Sequence, residues 1–172
     1  MGKLSAFGVL AIMPLAATTL EQLPLPEMAR KSTAIVLARV TTSTGVLRGS
    51  DVYTVYQLHP VEIWKSPASG VPTEVAVPGG IAGGFRQPVD GAPTLTPGRE
   101  YVLFLWTGRN GLTQLIGLSQ GLFDVQDGRM AWRPPASERM LDSAGRPVRE
   151  EAISMQLADL KAQVARALAG AR

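Results

Sequence analysis

The side chains able to do chemistry are few and scattered. The chain of 172 residues holds one histidine, His59, and no cysteine. A metal site draws several His, Cys or carboxylate ligands at set spacing. His59 stands alone ahead of Pro60 in an apolar run, which suits a surface or bend-packing role. Without cysteine, neither a disulfide framework nor a thiolate site can form. Asp51, Asp90, Asp124 and Asp127 are turn acids that lack the spacing of a calcium loop. Ser119 lies in LSQG, which is not the Gly-X-Ser-X-Gly elbow of a serine hydrolase. No paired general acid and base can be picked out. Trp64, Trp106 and Trp132 offer a sugar platform on paper, but Trp106 closes an apolar run, where core or rim packing is the simpler account. We therefore expect no catalytic residue, no metal and no cofactor.

The richest stretch is Val75–Trp106, whose loop holds Gly79, Gly80, Gly83 and Gly84. A phosphate-binding loop would end in Gly-Lys-Ser/Thr, and a dinucleotide loop would run straight into a helix. Here Gly84 is followed by FRQPVDGAP, a poor helix start, so the glycines read as turn or bulge residues. Phe85, Arg86 and Gln87 then form a candidate recognition tip: an aromatic, a bidentate donor and an amide. The alternative tucks Phe85 into the core and pairs Arg86 with Asp90 or Glu100. The candidate binding residues are thus Gly79, Gly80, Gly83, Gly84, Phe85, Arg86 and Gln87.

Strands must position that loop. The 18 glycines and 13 prolines recur between apolar runs, as turns do in a β-rich fold. Ala34–Thr42 and Val52–Trp64 are the longest strand candidates. Val36, Ala38 and Val40 share one face of the first, while Ile35 and Leu37 share the other, so its first half is expected to be buried on both sides. Pro60 cannot donate to a ladder and marks a bulge, a bend or an edge. Further strands are expected at Thr73–Val77, Gly84–Pro88, Glu100–Trp106, Leu112–Leu118, Gly121–Val125 and Arg129–Trp132. Asn110–Gly111 and Asp127–Gly128 are hairpin pairs. Pro26–Ser32 reads as a short helix with Pro26 in its first position. Residues 136–149 read as a linker. Ile153, Leu157, Leu160, Val164 and Leu168 predict an amphipathic helix over Glu150–Leu168, halted by Gly170. The expected layout is a β-barrel-like domain over residues 18–135, the linker, and a helix over residues 150–170.

Met1–Ala17 has the form of an export signal: Lys3, an apolar Leu4–Leu15, then Ala16 and Ala17. We expect the mature protein to be periplasmic or secreted and off the membrane once the signal is removed. The formal charge is only +3, and no Lys/Arg cluster could neutralise several phosphates, so nucleic acid is not an expected partner.

Ala38–Arg39–Val40, Tyr53–Thr54, Lys65, Pro78–Gly79–Gly80, Gly83–Gly84, Arg86–Gln87, Gly98–Glu100, Tyr101–Leu105 and Gly121–Phe123 follow one another in an order that resembles a family of uncharacterised exported bacterial proteins. The same order is distantly similar to the netrin-like domain of tissue inhibitors of metalloproteinases. That resemblance implies a small antiparallel OB-type barrel with helices alongside, and peptidase-directed recognition. That family relies on disulfides and an amino-terminal Cys, which this chain lacks, so its inhibitory mechanism does not carry over. The expected function is a non-enzymatic module that binds a protein partner through its loops. The alternatives are a small-ligand or carbohydrate-binding envelope protein and an assembly protein using its last helix.

Overall fold

The two longest β-branched runs pair with each other and set the frame. The computed structural model describes residues 19–149 and 151–170. The signal expected over residues 1–17 lies outside the described residues. In chain order the elements are β1 (Thr19–Glu21), α1 (Leu25–Lys31), β2 (Ala34–Arg48), β3 (Asp51–Lys65), β4 (Glu74–Pro78), β5 (Gly80–Ala82), β6 (Phe85–Gln87), β7 (Glu100–Thr107), β8 (Thr113–Leu115), a 3-10 turn (Leu118–Gly121), β9 (Leu122–Gln126), β10 (Met130–Arg133), β11 (Arg139–Leu141), β12 (Pro147–Val148), β13 (Ile153–Gln156) and α2 (Leu157–Ala169).

The main sheet is ordered β13-β10-β9-β7-β2-β3-β4, with β8 also on β7. Its pairings are antiparallel throughout. Strands β7-β2-β3-β4 have the Greek-key order, the fourth strand returning beside the first. One edge of β7 is shared: β9 pairs Tyr101–Leu103 and β8 pairs Leu105–Thr107. The break between β8 and β9 comes where Gly117 and Leu118 adopt φ of 60° and 58°, so Leu112–Leu118 is not the continuous strand its sequence suggests.

The fold is mainly β with a short early helix and a carboxy-terminal helix, as expected. The hydrogen-bonded path, however, ends at β4 and β13 and does not close into a cylinder. Two causes are local. β8 is only three residues long, and β4 ends on Pro78, which has no N–H to give. A small cavity of about 90 Å³, lined by Ala76, Val77, Pro93 and Leu115 among others, marks where the two strands face each other.

Both faces of the sheet are covered. On the inner face Val36, Ala38 and Val40 pack with Tyr56, Val75, Leu95 and Leu103. On the outer face Ile35 and Leu37 pack with Phe104, Phe123 and the helix residues Met28, Leu160 and Val164. The two-sided burial expected for β2 is therefore observed. The Phe104 and Phe123 rings lie 5.9 Å apart at 49°, a favourable tilted arrangement. Lys65 Nζ closes α1 by donating to the carbonyls of Ala29, Arg30 and Ser32. Pro60 does sit at a bulge: Leu37 faces Glu62 and Ala38 faces Pro60, leaving Val61 without a partner.

Three further boundaries differ from expectation. β2 runs past Thr42 to Arg48, so only Gly49 and Ser50 turn the chain into β3. Residues 136–149 contain β11 and β12, and β11 pairs in parallel with β1. The last helix begins at Leu157, not Glu150, because Ile153–Gln156 extends along β10. Ile153 and Met155 alternate with polar residues, and both pack onto the outer-face core as a strand's period of two dictates. The spacing from Ile153 to Leu157 fits a helix only by coincidence.

Candidate functional site

The glycine-rich stretch folds as a hairpin laid across the end of the β2–β3 ribbon. The chain leaving β4 stays attached to β3: the Gly79 N–H donates to Val52 O at 2.7 Å, and Thr54 Oγ1 donates to Gly79 O at 2.9 Å. Strands β5 and β6 then pair Gly80 with Gln87, Ile81 with Arg86 and Ala82 with Phe85. Between them Gly83 and Gly84 take φ of 57° and 80°. Two positive φ values in a two-residue loop are the requirement of a type I′ turn, which matches strand twist and strongly favours glycine.

Glycine also makes the crossing possible. A Cβ at Gly45 would lie 1.8 Å from Ile81 O, and one at Gly80 would lie 2.3 Å from Thr54 Oγ1. Gly45 and Thr54 are register partners on the ribbon, so the hairpin rests on the space left by missing side chains. Gln87 completes the attachment. Its Oε1 accepts the Val52 N–H at 2.7 Å, which directs the amide into the protein and makes Gln87 an anchor.

The outward side chains are apolar and cationic. Ile81 is 67% exposed, Phe85 64% and Leu47 44%. Leu47 and Phe85 flank the turn: a Cβ built on Gly83 would lie 3.7 Å from Leu47 Cδ2 and 3.9 Å from Phe85 Cδ2. Phe85 is therefore not tucked into the core. Arg86 is exposed opposite Ile81 and forms no ion pair among the described residues; Glu100 is held by Arg39 at 2.7 Å. Arg48, beside Leu47, is exposed as well.

Beside the hairpin lies a cavity of about 170 Å³, lined by Thr54, Tyr56, Gly79, Gln87 and Val89 among others. It is smaller than the roughly 300–1,000 Å³ of an ordinary small-molecule pocket. Burial pushes the Tyr56 phenol above its usual pKa, so it stays neutral there.

The other sequence candidates lie apart. His59 is exposed on β3 with Arg39 as its register partner. Among the described residues, no group of three or more His, Cys, Asp or Glu is placed to hold a metal. Asp124 pairs with Arg99 at 2.6 Å. Trp64, Trp106 and Trp132 sit on three different strands, β3, β7 and β10. Trp64 donates its indole N–H to Glu62 at 3.0 Å. Sequence reasoning singled out the hairpin residues and missed Leu47, Arg48 and Ile81. The available signal was an apolar residue next to a turn, Val46–Leu47 before Arg48–Gly49. Comparison with protein-family models, with curated proteins and with solved structures finds no match to this chain.

Proposed function

We propose that this chain is an exported, non-enzymatic binding module that docks onto another protein through the β5–β6 hairpin. The observation that carries the reading is the exposure of Ile81 and Phe85 on the hairpin and of Leu47 beside its turn, with the hairpin tied to β3 by three hydrogen bonds, two at the Gly79 backbone and one at the Gln87 side chain. Clustered large apolar side chains at a surface mark interaction sites. A tip already held in one conformation loses little entropy on binding. Aromatic and arginine side chains are the usual anchors of such contacts. Export rests on the leader-like first 17 residues, and the non-enzymatic reading rests on the lack of a paired acid and base in the sequence.

The OB-type likeness belongs to the same proposal. OB folds are five-stranded, partly open Greek-key barrels that bind through loops. The order β4-β3-β2-β7 with β8 beyond, and the approach of β8 to β4, support it. The assembly alternative is weakened by α2, which buries Leu160 and Val164 against its own sheet.

A photo-crosslinking amino acid placed at Phe85 or Ile81 tests the reading in an envelope extract of the source cells. One adduct of common mass is expected from both positions, absent from a control at exposed His59 and suppressed by excess unlabelled protein. Equal adducts from all three positions, or none from the hairpin, would refute it.

A further inference from the structure

We propose that the β11–β12 hairpin carries an oxyanion site, formed by Arg139 and Arg149, that takes the phosphate of a small organic phosphate monoester. The register brings the two arginines together. Met140 faces Val148 and Leu141 faces Pro147, so the next rung sets Arg139 opposite Arg149 on one face of the hairpin. The Asp142 N–H donates to Arg146 O at 2.8 Å, and bonded and unbonded rungs alternate from there. Arg139 and Arg149 thus fall on an unbonded rung, the kind that brings opposite side chains closest, with Cβ atoms about 5 Å apart. Both residues are exposed, and both line one cavity of about 390 Å³ together with Pro135, Pro147, Met140 and Glu138 among others.

Like charges directly opposite in a sheet repel, and here no carboxylate relieves them. Neither arginine forms an ion pair among the described residues, whereas Arg146 of the same hairpin is held by Asp142 at 2.7 Å. Glu138 is the one acid lining the cavity. Adjacent residues of an extended chain project to opposite sides, so Glu138 leaves away from Arg139. Its two oxygens are turned to Ser119 Oγ at 3.5 Å and Ser137 Oγ at 3.3 Å. It also lies over Gly91, where a Cβ would come within 1.9 Å of its Oε1. The arginine pair is left for an external anion. A guanidinium fork takes two oxygens. A phosphate monoester offers three terminal oxygens and close to two negative charges at neutral pH, so one group serves both forks. A carboxylate or a phosphodiester brings one charge and two free oxygens. The cavity falls within the roughly 300–1,000 Å³ of small-molecule sites, and its Pro135, Pro147 and Met140 lining suits an organic body on the phosphate.

Isothermal titration of the purified chain with phenyl phosphate and with benzenesulfonate tests the site, and sedimentation with phosphatidic acid vesicles tells a lipid-borne monoester from a soluble one. Saturable binding of phenyl phosphate is expected, about tenfold or more tighter than that of the singly charged benzenesulfonate. R139Q and R149Q should each weaken it about tenfold, as loss of one charge-assisted fork implies. R139K keeps the charge but not the fork and should weaken it too. R146Q, whose arginine is already paired, should bind as wild type does. Without ligand, R149Q should melt no lower than wild type, because a repulsion is removed and no partner is lost. Binding of phenyl phosphate without sedimentation supports the site with a soluble ligand. Sedimentation that R139Q/R149Q abolishes supports the same site with a lipid headgroup. Equal affinity for benzenesulfonate, no saturable heat, or binding that survives R139Q/R149Q overturns the proposal. So does a ligand-free R149Q that melts lower, since the guanidinium then has its partner within the protein.

Discussion

Replacing Gly45 by alanine isolates the device that seats the hairpin. Gly45 does not have a positive φ, so alanine is compatible with its backbone. In open space the change would stabilise an extended residue by about 0.5–1 kcal/mol, by restricting the unfolded chain. Here the new methyl would lie 1.8 Å from Ile81 O and 2.8 Å from Ile81 C, and those are backbone atoms that cannot rotate away. The hairpin must lift, and lifting endangers three hydrogen bonds: Gly79 N–H to Val52 O, Thr54 Oγ1 to Gly79 O, and Val52 N–H to Gln87 Oε1. At about 1 kcal/mol each, the loss is about 3 kcal/mol, which outweighs the entropic gain and reverses its sign. A change of that size raises the population of the lifted hairpin about a hundredfold. Limited trypsin cleavage after Arg86, followed against urea stability, measures both effects. Gly45→Ala should be cut far faster and unfold at lower urea. Unchanged cleavage together with a higher midpoint would refute the reasoning.

Gln87→Ala should destabilise by about 1–3 kcal/mol in chemical denaturation, because the Val52 N–H then loses its acceptor. Phe85→Ala, at an exposed site, should stay within about 0.5 kcal/mol by the same measurement. Leu160→Ala empties a fully buried site between α2 and the sheet and should cost about 2–5 kcal/mol, read from the thermal or urea midpoint. The Glu62 carboxyl is held below its usual pKa of 4.5, chiefly by the Lys161 ammonium and then by the Trp64 indole N–H. A lowered folded pKa means that the pair's contribution is present above pH 4.5 and is lost as pH falls through the folded value. Lys161→Gln should therefore flatten the acid limb of a stability–pH curve and leave the neutral-to-alkaline limb's shape alone.

Much of this fold was legible because period-two burial is a strong local signal. Ile35 and Leu37 against Val36, Ala38 and Val40 foretell a strand covered on both sides, and Pro60 foretells its bulge. What failed was non-local. Nothing near Arg139–Leu141 announces that β1 will lie alongside it, since that pairing joins segments more than a hundred residues apart. Ile153 satisfies helix and strand spacing at once, and only the free edge of β10 decides between them. Closure was not legible either, because it depends on whether β8 reaches β4 before Gly117 and Leu118 turn the chain. At the candidate site, Gly83–Gly84 and Phe85–Gln87 were visible as residue types. The inward role of Gln87 and the contribution of Leu47 emerge only when the hairpin crosses the ribbon.

The most direct test of the docking claim is an amide chemical-shift titration of the labelled chain with its crosslinked partner. Shifts concentrated at residues 45–48 and 80–87, with the Val52 amide retained in its hydrogen bond, are predicted. Shifts centred instead on the cleft at the start of α2, lined by Arg129, Gln156 and Lys161, would contradict it.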